Sequence, residues 1–155
     1  MKKNLLVACC FLFSVLISMA QPKTKPLTNS TNSELNKLLA GSGLPFKMIN
    51  DSVAIIPYEG VNIRSYNVVV QKINELIIIY TDLMEILPGM IDEKKYKYLL
   101  QQADHFDIVK IGMSSDEQSV FVRADLYKTG ITTPLLGRVI KQVANVTNII
   151  AGEIK

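Results

Sequence analysis

Apolar positions along this chain change period several times, and those changes outline its elements. Leu35, Leu38 and Leu39 recur at i, i+3 and i+4 behind Thr31-Asn32-Ser33-Glu34, which has capping-box spacing. They predict a short helix with one apolar stripe, with Gly41 as its left-handed stop. Strands are expected next, over Leu44–Ile49 and over Val53–Tyr58, with turn chemistry at Asn50-Asp51-Ser52 between them. Pro57 suits an edge or a bulge. Residues Val61–Lys72 alternate at first and then become fully apolar at Val68-Val69-Val70. A turn around Ile73-Asn74-Glu75 leads into Leu76–Leu83, centred on Ile77-Ile78-Ile79-Tyr80. β-Branched density of this kind predicts strand.

Pro88-Gly89 breaks the pattern. Asp92 is placed to cap a helix in which Tyr96, Leu99, Leu100 and Ala103 share a face, with Lys94, Lys95 and Lys97 mostly away from it. Phe106–Met113 and Gln118–Tyr127 predict a hairpin around Ser114-Ser115-Asp116-Glu117. Thr133-Pro134 supplies an N-cap with proline at the first helical position. Leu135, Leu136, Val139, Ile140, Val143 and Val146 or Thr147 then form the stripe of a last helix ending near Gly152. The expected order is α-β-β-β(β)-α-β-β-α, an α+β domain without internal repeats.

The first ~20 residues follow a different rule. Lys2 and Lys3 precede an apolar run from Leu5 to Ile17, and Ser18-Met19-Ala20 places small residues at the −3 and −1 positions. This is the form of a secretory signal peptide cleaved after Ala20, and the run is too short for a spanning helix of about 20 residues. Leu6-Val7-Ala8-Cys9 has the local pattern of a lipoprotein cleavage site. Only eight residues would then precede the lipidated cysteine, so Cys9 and Cys10 read as apolar filler of the signal helix. Residues 21–32 are Pro, Thr, Ser, Asn and Lys with a single Leu, the composition of a flexible tether. Residues 33–155 remain as one domain, expected in the periplasm or outside the cell.

Cleavage changes the charge and the redox chemistry. Residues 21–155 keep 15 basic against 14 acidic side chains and neither cysteine. A near-neutral balance argues against a nucleic-acid partner, whose binders carry clustered basic excess. It also leaves no disulfide and no thiol, and a domain of this size buries enough surface to fold without them. No membrane role is expected for the mature domain.

Several residues punctuating this order carry a likeness to a known family. A short helix with Leu38-Leu39 runs into Gly43-Leu44; one strand holds Val68-Val69-Val70 and its neighbour Leu76-Ile77-Ile78-Ile79. Leu87-Pro88 precedes a helix with Leu99-Leu100, and a two-stranded unit centred on Val120-Phe121-Val122 leads through Ile131-Thr132 into the last helix. Over residues 33–151 the chain resembles the YbjN family and the type III secretion chaperone-like fold to which that family belongs. The resemblance implies a mixed, antiparallel-rich sheet with helices on one face and a protein-binding or dimerising surface elsewhere. It brings no active-site signature and no binding residue. Secretion chaperones of that fold are cytosolic and usually acidic, whereas this chain starts with an export signal and is near neutral.

Candidate chemistry is sparse. His105 is the one histidine, flanked by Asp104 and Asp107, and could be a base or a metal ligand. A zinc site needs further ligands that the mature chain lacks, and no serine sits in a nucleophile elbow. A helix-end role is the expected one. Asp82 with Glu85, and Asp116 with Glu117, are carboxylate pairs at a strand end and in a turn, where solvated acids are ordinary. Gly41-Ser42-Gly43 follows a helix instead of opening one and is too short for a phosphate cradle. Lys94-Lys95-Lys97 is expected to be a solvated face. No catalytic residue, metal or cofactor is expected.

The stronger signal is surplus hydrophobicity in the sheet. Successive strand residues alternate faces, so Val68, Val69, Val70, Ile77, Ile78, Ile79 and Tyr80 put large apolar groups on both sides. Three helical stripes cover one face, and an exposed apolar patch on the other usually marks an interface. Either Ile77 and Ile79, or Leu76, Ile78 and Tyr80, should therefore point at a partner. These residues predict a non-enzymatic binding domain, self-associating or chaperone-like. The alternative is a small-ligand binder or hydrolase-like enzyme with a pocket near His105.

Overall fold

In the computed structural model, residues 33–155 are described; the expected signal peptide (1–20) and tether (21–32) lie outside them. Helix α1 (Glu34–Ala40) starts at Ser33, whose side chain accepts from Asn36 N–H at 3.1 Å. The cap is therefore Ser33; Thr31, the first residue of the expected capping box, lies outside the described residues. Gly41 ends the helix in a right-handed conformation, and the left-handed position falls two residues later, at Gly43. Strands β1 (Lys47–Asn50), β2 (Val53–Tyr58), β3 (Tyr66–Ile73) and β4 (Leu76–Asp82) follow. Between β3 and β4, Asn74 takes the positive φ that closes a tight turn. β1 pairs with β2 only as far as Ile55, so Pro57 sits where the outer side of β2 is open.

Residues 61–65, expected to open β3, form a loop instead. Asn62 is held there from a helix: its N–H donates to Asn148 Oδ1 at 3.0 Å and its Nδ2 to Asn148 O at 2.9 Å. The end of β4 turns directly into a one-turn helix, α2 (Leu83–Ile86), which the sequence pattern did not anticipate. Asp92 does cap α3 (Glu93–Gln102), accepting from Lys95 N–H at 2.9 Å. Leu99 and the packed Tyr96 and Ala103 face the core. Leu100 does not, being 66% exposed. A 3₁₀ turn (Ala103–His105) closes α3. The hairpin is shorter than predicted, with β5 (Lys110–Met113) and β6 (Val120–Tyr127). Phe106–Val109 is a loop whose Val109 is nonetheless buried. Helix α4 (Thr133–Ile154) is capped by Thr132, one residue earlier than expected, and runs past Gly152.

The six strands lie in the order β1-β2-β3-β4-β6-β5, so β6 inserts between β4 and β5. Every ladder is antiparallel, which removes the parallel component that a mixed sheet implied. Helix α4 contributes eleven buried residues, among them Leu136, Ile140, Val143 and Ile150, and crosses β3, β4 and β6. Each large side chain so buried is worth about 1.5–3 kcal/mol, which makes α4 the main cover of the sheet. Two polar contacts fix its position. Tyr66 donates its hydroxyl to Ala144 O at 2.8 Å, and Thr81 Oγ1 meets Thr147 Oγ1 at 2.7 Å. Glu34 ties α1 to the same side through Lys72 at 2.7 Å and Lys128 at 3.0 Å, and the two ammoniums lower its carboxyl pKa. Tyr98 of α3 bonds Glu153 of α4 at 2.6 Å. All the long elements above the sheet are thus on one face.

Candidate functional site

Register decides which strand side chains look away from the helices. Tyr66 and Thr81 bond residues of α4, so the residues sharing their parity face α4: Val68 and Val70 on β3, Ile77 and Ile79 on β4, all with zero exposure. These four were candidate interface residues, and their burial in the core removes them from any contact surface. The remaining three candidates, Val69, Ile78 and Tyr80, lie on the opposite face. Val69 pairs with Tyr80 and Gln71 with Ile78 across β3 and β4. Ile78 is 8% exposed yet stands outside the core cluster that takes in Ile77 and Ile79. Its cover therefore comes from neighbours on its own face.

Cross-strand pairing extends this face in both directions. Ile55 pairs with Val69 and Val53 with Gln71 on one side; Tyr80 pairs with Arg123 and Ile78 with Asp125 on the other. Val53, Ile55, Val69, Leu76, Ile78 and Tyr80 therefore form an apolar field over β2, β3 and β4. The period-2 alternation of Val53 and Ile55 with Ala54 and Ile56 was the available signal for the first two. Ile78 is buried and the other five are half-buried, so the side chains of this face shield one another.

Its border on β6 is polar. Arg123 Nε bonds Asp125 Oδ1 at 2.6 Å, Lys110 Nζ stands 3.5 Å from Asp125 Oδ2, and the guanidinium lies 5.9 Å from the Phe121 ring centroid. A Cβ on Gly112 would come within 2.7 Å of that ring, so the bare backbone of β5 lets Phe121 lie flat against the edge. Burial, followed by the carboxylates of Glu85 and Asp82, pushes the Tyr80 hydroxyl pKa up.

Of the other candidates, Asp82, Asp116 and Lys95 are engaged in local hydrogen bonds. Asp82 caps α2 through Met84 N–H at 2.8 Å and accepts from Ser119 Oγ at 2.6 Å. Asp116 accepts from Ser114 Oγ at 2.6 Å and Gln118 N–H at 3.2 Å, bonds that lower its pKa, and Glu117 takes a positive φ in the same turn. Lys95 bonds Met90 O at 2.7 Å. His105 is exposed at the close of α3, where helix-end carbonyls accumulate.

Two recesses flank the outer side of α4. One, about 270 Å³, lies beside His105 and Asp107. The other, about 580 Å³, runs between the end of α1 and α4, past Ser42, Arg138 and Lys141. Gln142 and Asn145 line both. The Gln142 Oε1 is buried without a hydrogen-bond partner, an arrangement that ordinarily costs about 1–3 kcal/mol. No group of three or more His, Cys, Asp or Glu among the described residues is placed to hold a metal ion. No described helix is long and apolar enough to cross a membrane.

No protein-family model and no curated protein matches the chain. Solved structures do. YbjN from E. coli is similar at a TM-score of 0.50 and 16% identity, over 77% of this chain and 87% of that one. A chain of the ExsC–ExsE complex is similar at 0.51 and 13% identity, over 74% and 89%. The six-stranded antiparallel sheet with its helices on one face thus shares the fold of YbjN and of the matched chain of the ExsC–ExsE complex.

Proposed function

We propose that this protein is an exported, non-enzymatic binding domain that engages protein across its helix-free sheet face, a second copy of itself before any other client. The observation that carries this reading is the apolar field of Val53, Ile55, Val69, Leu76, Ile78 and Tyr80, buried at Ile78, half-buried elsewhere and outside the core cluster beneath α4. Its fold neighbour ExsC–ExsE is a complex of two proteins, which is in keeping with a fold that presents a binding surface. Export rests on the signal-peptide pattern of residues 1–20.

Adjacent residues on β4 supply the test. Ile79 is fully buried beneath α4, so Ile79→Lys places an unpaired charge in the core and should unfold the domain. Ile78 is only 8% exposed, but side chains of its own face cover it and no helix does, so the lysine stem of Ile78→Lys can part them and reach water. That variant should stay folded by circular dichroism and show the mass of a single chain by light scattering, while the native protein shows a multiple. Unfolding of both variants, or native association by Ile78→Lys, overturns the reading.

One observation favours a second role, in small-ligand binding or hydrolysis: the recess beside His105, which also carries Asp107, Gln142 and Asn145. Among the described residues no serine lines it, so none of them places a serine nucleophile there.

A further inference from the structure

The outer groove between α1 and α4 is separate from the sheet face and has a chemistry of its own. Pro134, Gly137, Arg138, Lys141, Gln142 and Asn145 follow one another along a single stripe of α4. The turn after α1 packs against Gly137, with Ser42 Cβ 3.5 Å from where a side chain would begin, an ordinary contact distance. Arg138 and Lys141 stand three positions apart, so their charges are neighbours on the same side of the helix and repel each other. Neither takes part in any ion pair among the described residues. No Asp or Glu occurs in α4 before Glu153, and no acid lines the groove. General basicity does not explain this, because residues 33–155 carry 13 Lys and Arg against 14 Asp and Glu.

We infer that this groove binds an extended peptide segment carrying acidic side chains. From Pro134 to Asn145 the stripe spans about 16 Å at the helical rise, room for roughly five residues of extended chain. Arg138 and Lys141 take the carboxylates. Gln142 and Asn145 each offer an amide donor and an amide acceptor, the complement of a peptide backbone. Gln142 lines the groove, and its Oε1 has no hydrogen-bond partner among the described residues. A peptide N–H is the kind of donor it lacks, whereas a simple anion offers acceptors almost alone. The inference does not depend on the sheet face being an interface.

The test is a titration of the isotope-labelled full chain, followed by amide chemical shifts, with a short peptide of alternating aspartate and serine. Signals of Gly41, Ser42, Gly137, Arg138, Gln142 and Asn145 should move together. The same peptide with asparagine for aspartate should bind roughly tenfold more weakly, as should the doubly substituted Arg138→Gln, Lys141→Gln protein. Both side chains are exposed, and a well-dispersed spectrum verifies folding of the variant. Ile78→Lys should bind the acidic peptide as the native chain does, which keeps this outcome apart from the fate of the sheet face. Equal binding of the two peptides, full affinity in the double variant, or the same shifts from inorganic phosphate alone would overturn the inference.

Discussion

Thr81 and Thr147 are the buried polar side chains of the core, both with zero exposure, and they hold α4 to the centre of the sheet. Thr147 Oγ1 donates to Val143 O at 2.8 Å and lies 2.7 Å from Thr81 Oγ1. A hydroxyl has one proton. That of Thr147 is committed to Val143, so Thr81 is the donor to Thr147. The two truncations should therefore differ. Thr81→Val removes a donor and leaves Thr147 still bonded to Val143, costing the net value of one hydrogen bond, about 1 kcal/mol. Thr147→Val strands the Thr81 proton where no water reaches, costing about 1–3 kcal/mol. Substituting both by valine removes both polar groups and should be nearly neutral. Urea unfolding followed by circular dichroism, with an unchanged denaturant slope, measures all three. The coupling is a sizeable share of a total near 5–15 kcal/mol. Additive losses, or a larger loss from Thr81→Val than from Thr147→Val, would refute this placement of α4.

Three further outcomes are expected. Burial, with a smaller contribution from Tyr58, pushes the Tyr66 hydroxyl up to about 12. Its raised value means that the stability it contributes is complete below the unfolded value of about 10 and is lost as pH rises through about 12. Absorbance titration should show a latest tyrosine step that disappears in Tyr66→Phe; ionisation of Tyr66 along with the exposed tyrosines would contradict this. His105→Gln should leave stability within about 0.5 kcal/mol by urea unfolding, the scale of an exposed substitution, and leave partner binding unchanged. Loss of a hydrolytic or metal-dependent activity in that variant would instead give the recess beside it a catalytic role. N-terminal sequencing of protein taken from the cell envelope should read from Gln21, and a full-length chain or a lipid on Cys9 or Cys10 would rule out a cleaved signal.

Elements whose cause is local were legible in the chain. β-Branched density marked β2 and β4 nearly to their ends and the apolar part of β3, and Asp92 marked the start of α3. Elements decided by distant contacts were not. Val61 and Ile63 alternate as a strand does, but Asn148, far along the chain on α4, draws Asn62 out of the ladder. Leu100 fits the apolar stripe of α3 by spacing and is left outside because that helix turns Leu99 to the core. The choice of sheet face was equally hidden. Val68, Val69 and Val70 are chemically identical, and only the bonds from Tyr66 and Thr81 to α4 decide which of them point inward. The cations of the α4 groove were readable as Arg138 and Lys141, yet the absence of acids around them becomes meaningful only when α1 closes the groove.

The central claim is that the helix-free face is the surface through which this protein meets another. Placing the photoreactive residue p-benzoylphenylalanine at Val69 or Tyr80, and separately at Ile149 on the exposed side of α4, tests it inside the producing cell. All three positions retain some exposure, so none requires repacking of the core. Irradiation should give covalent adducts from positions 69 and 80, with a species of twice the chain mass among them, and none from 149. Adducts from 149 with none from 69 or 80 would contradict the account.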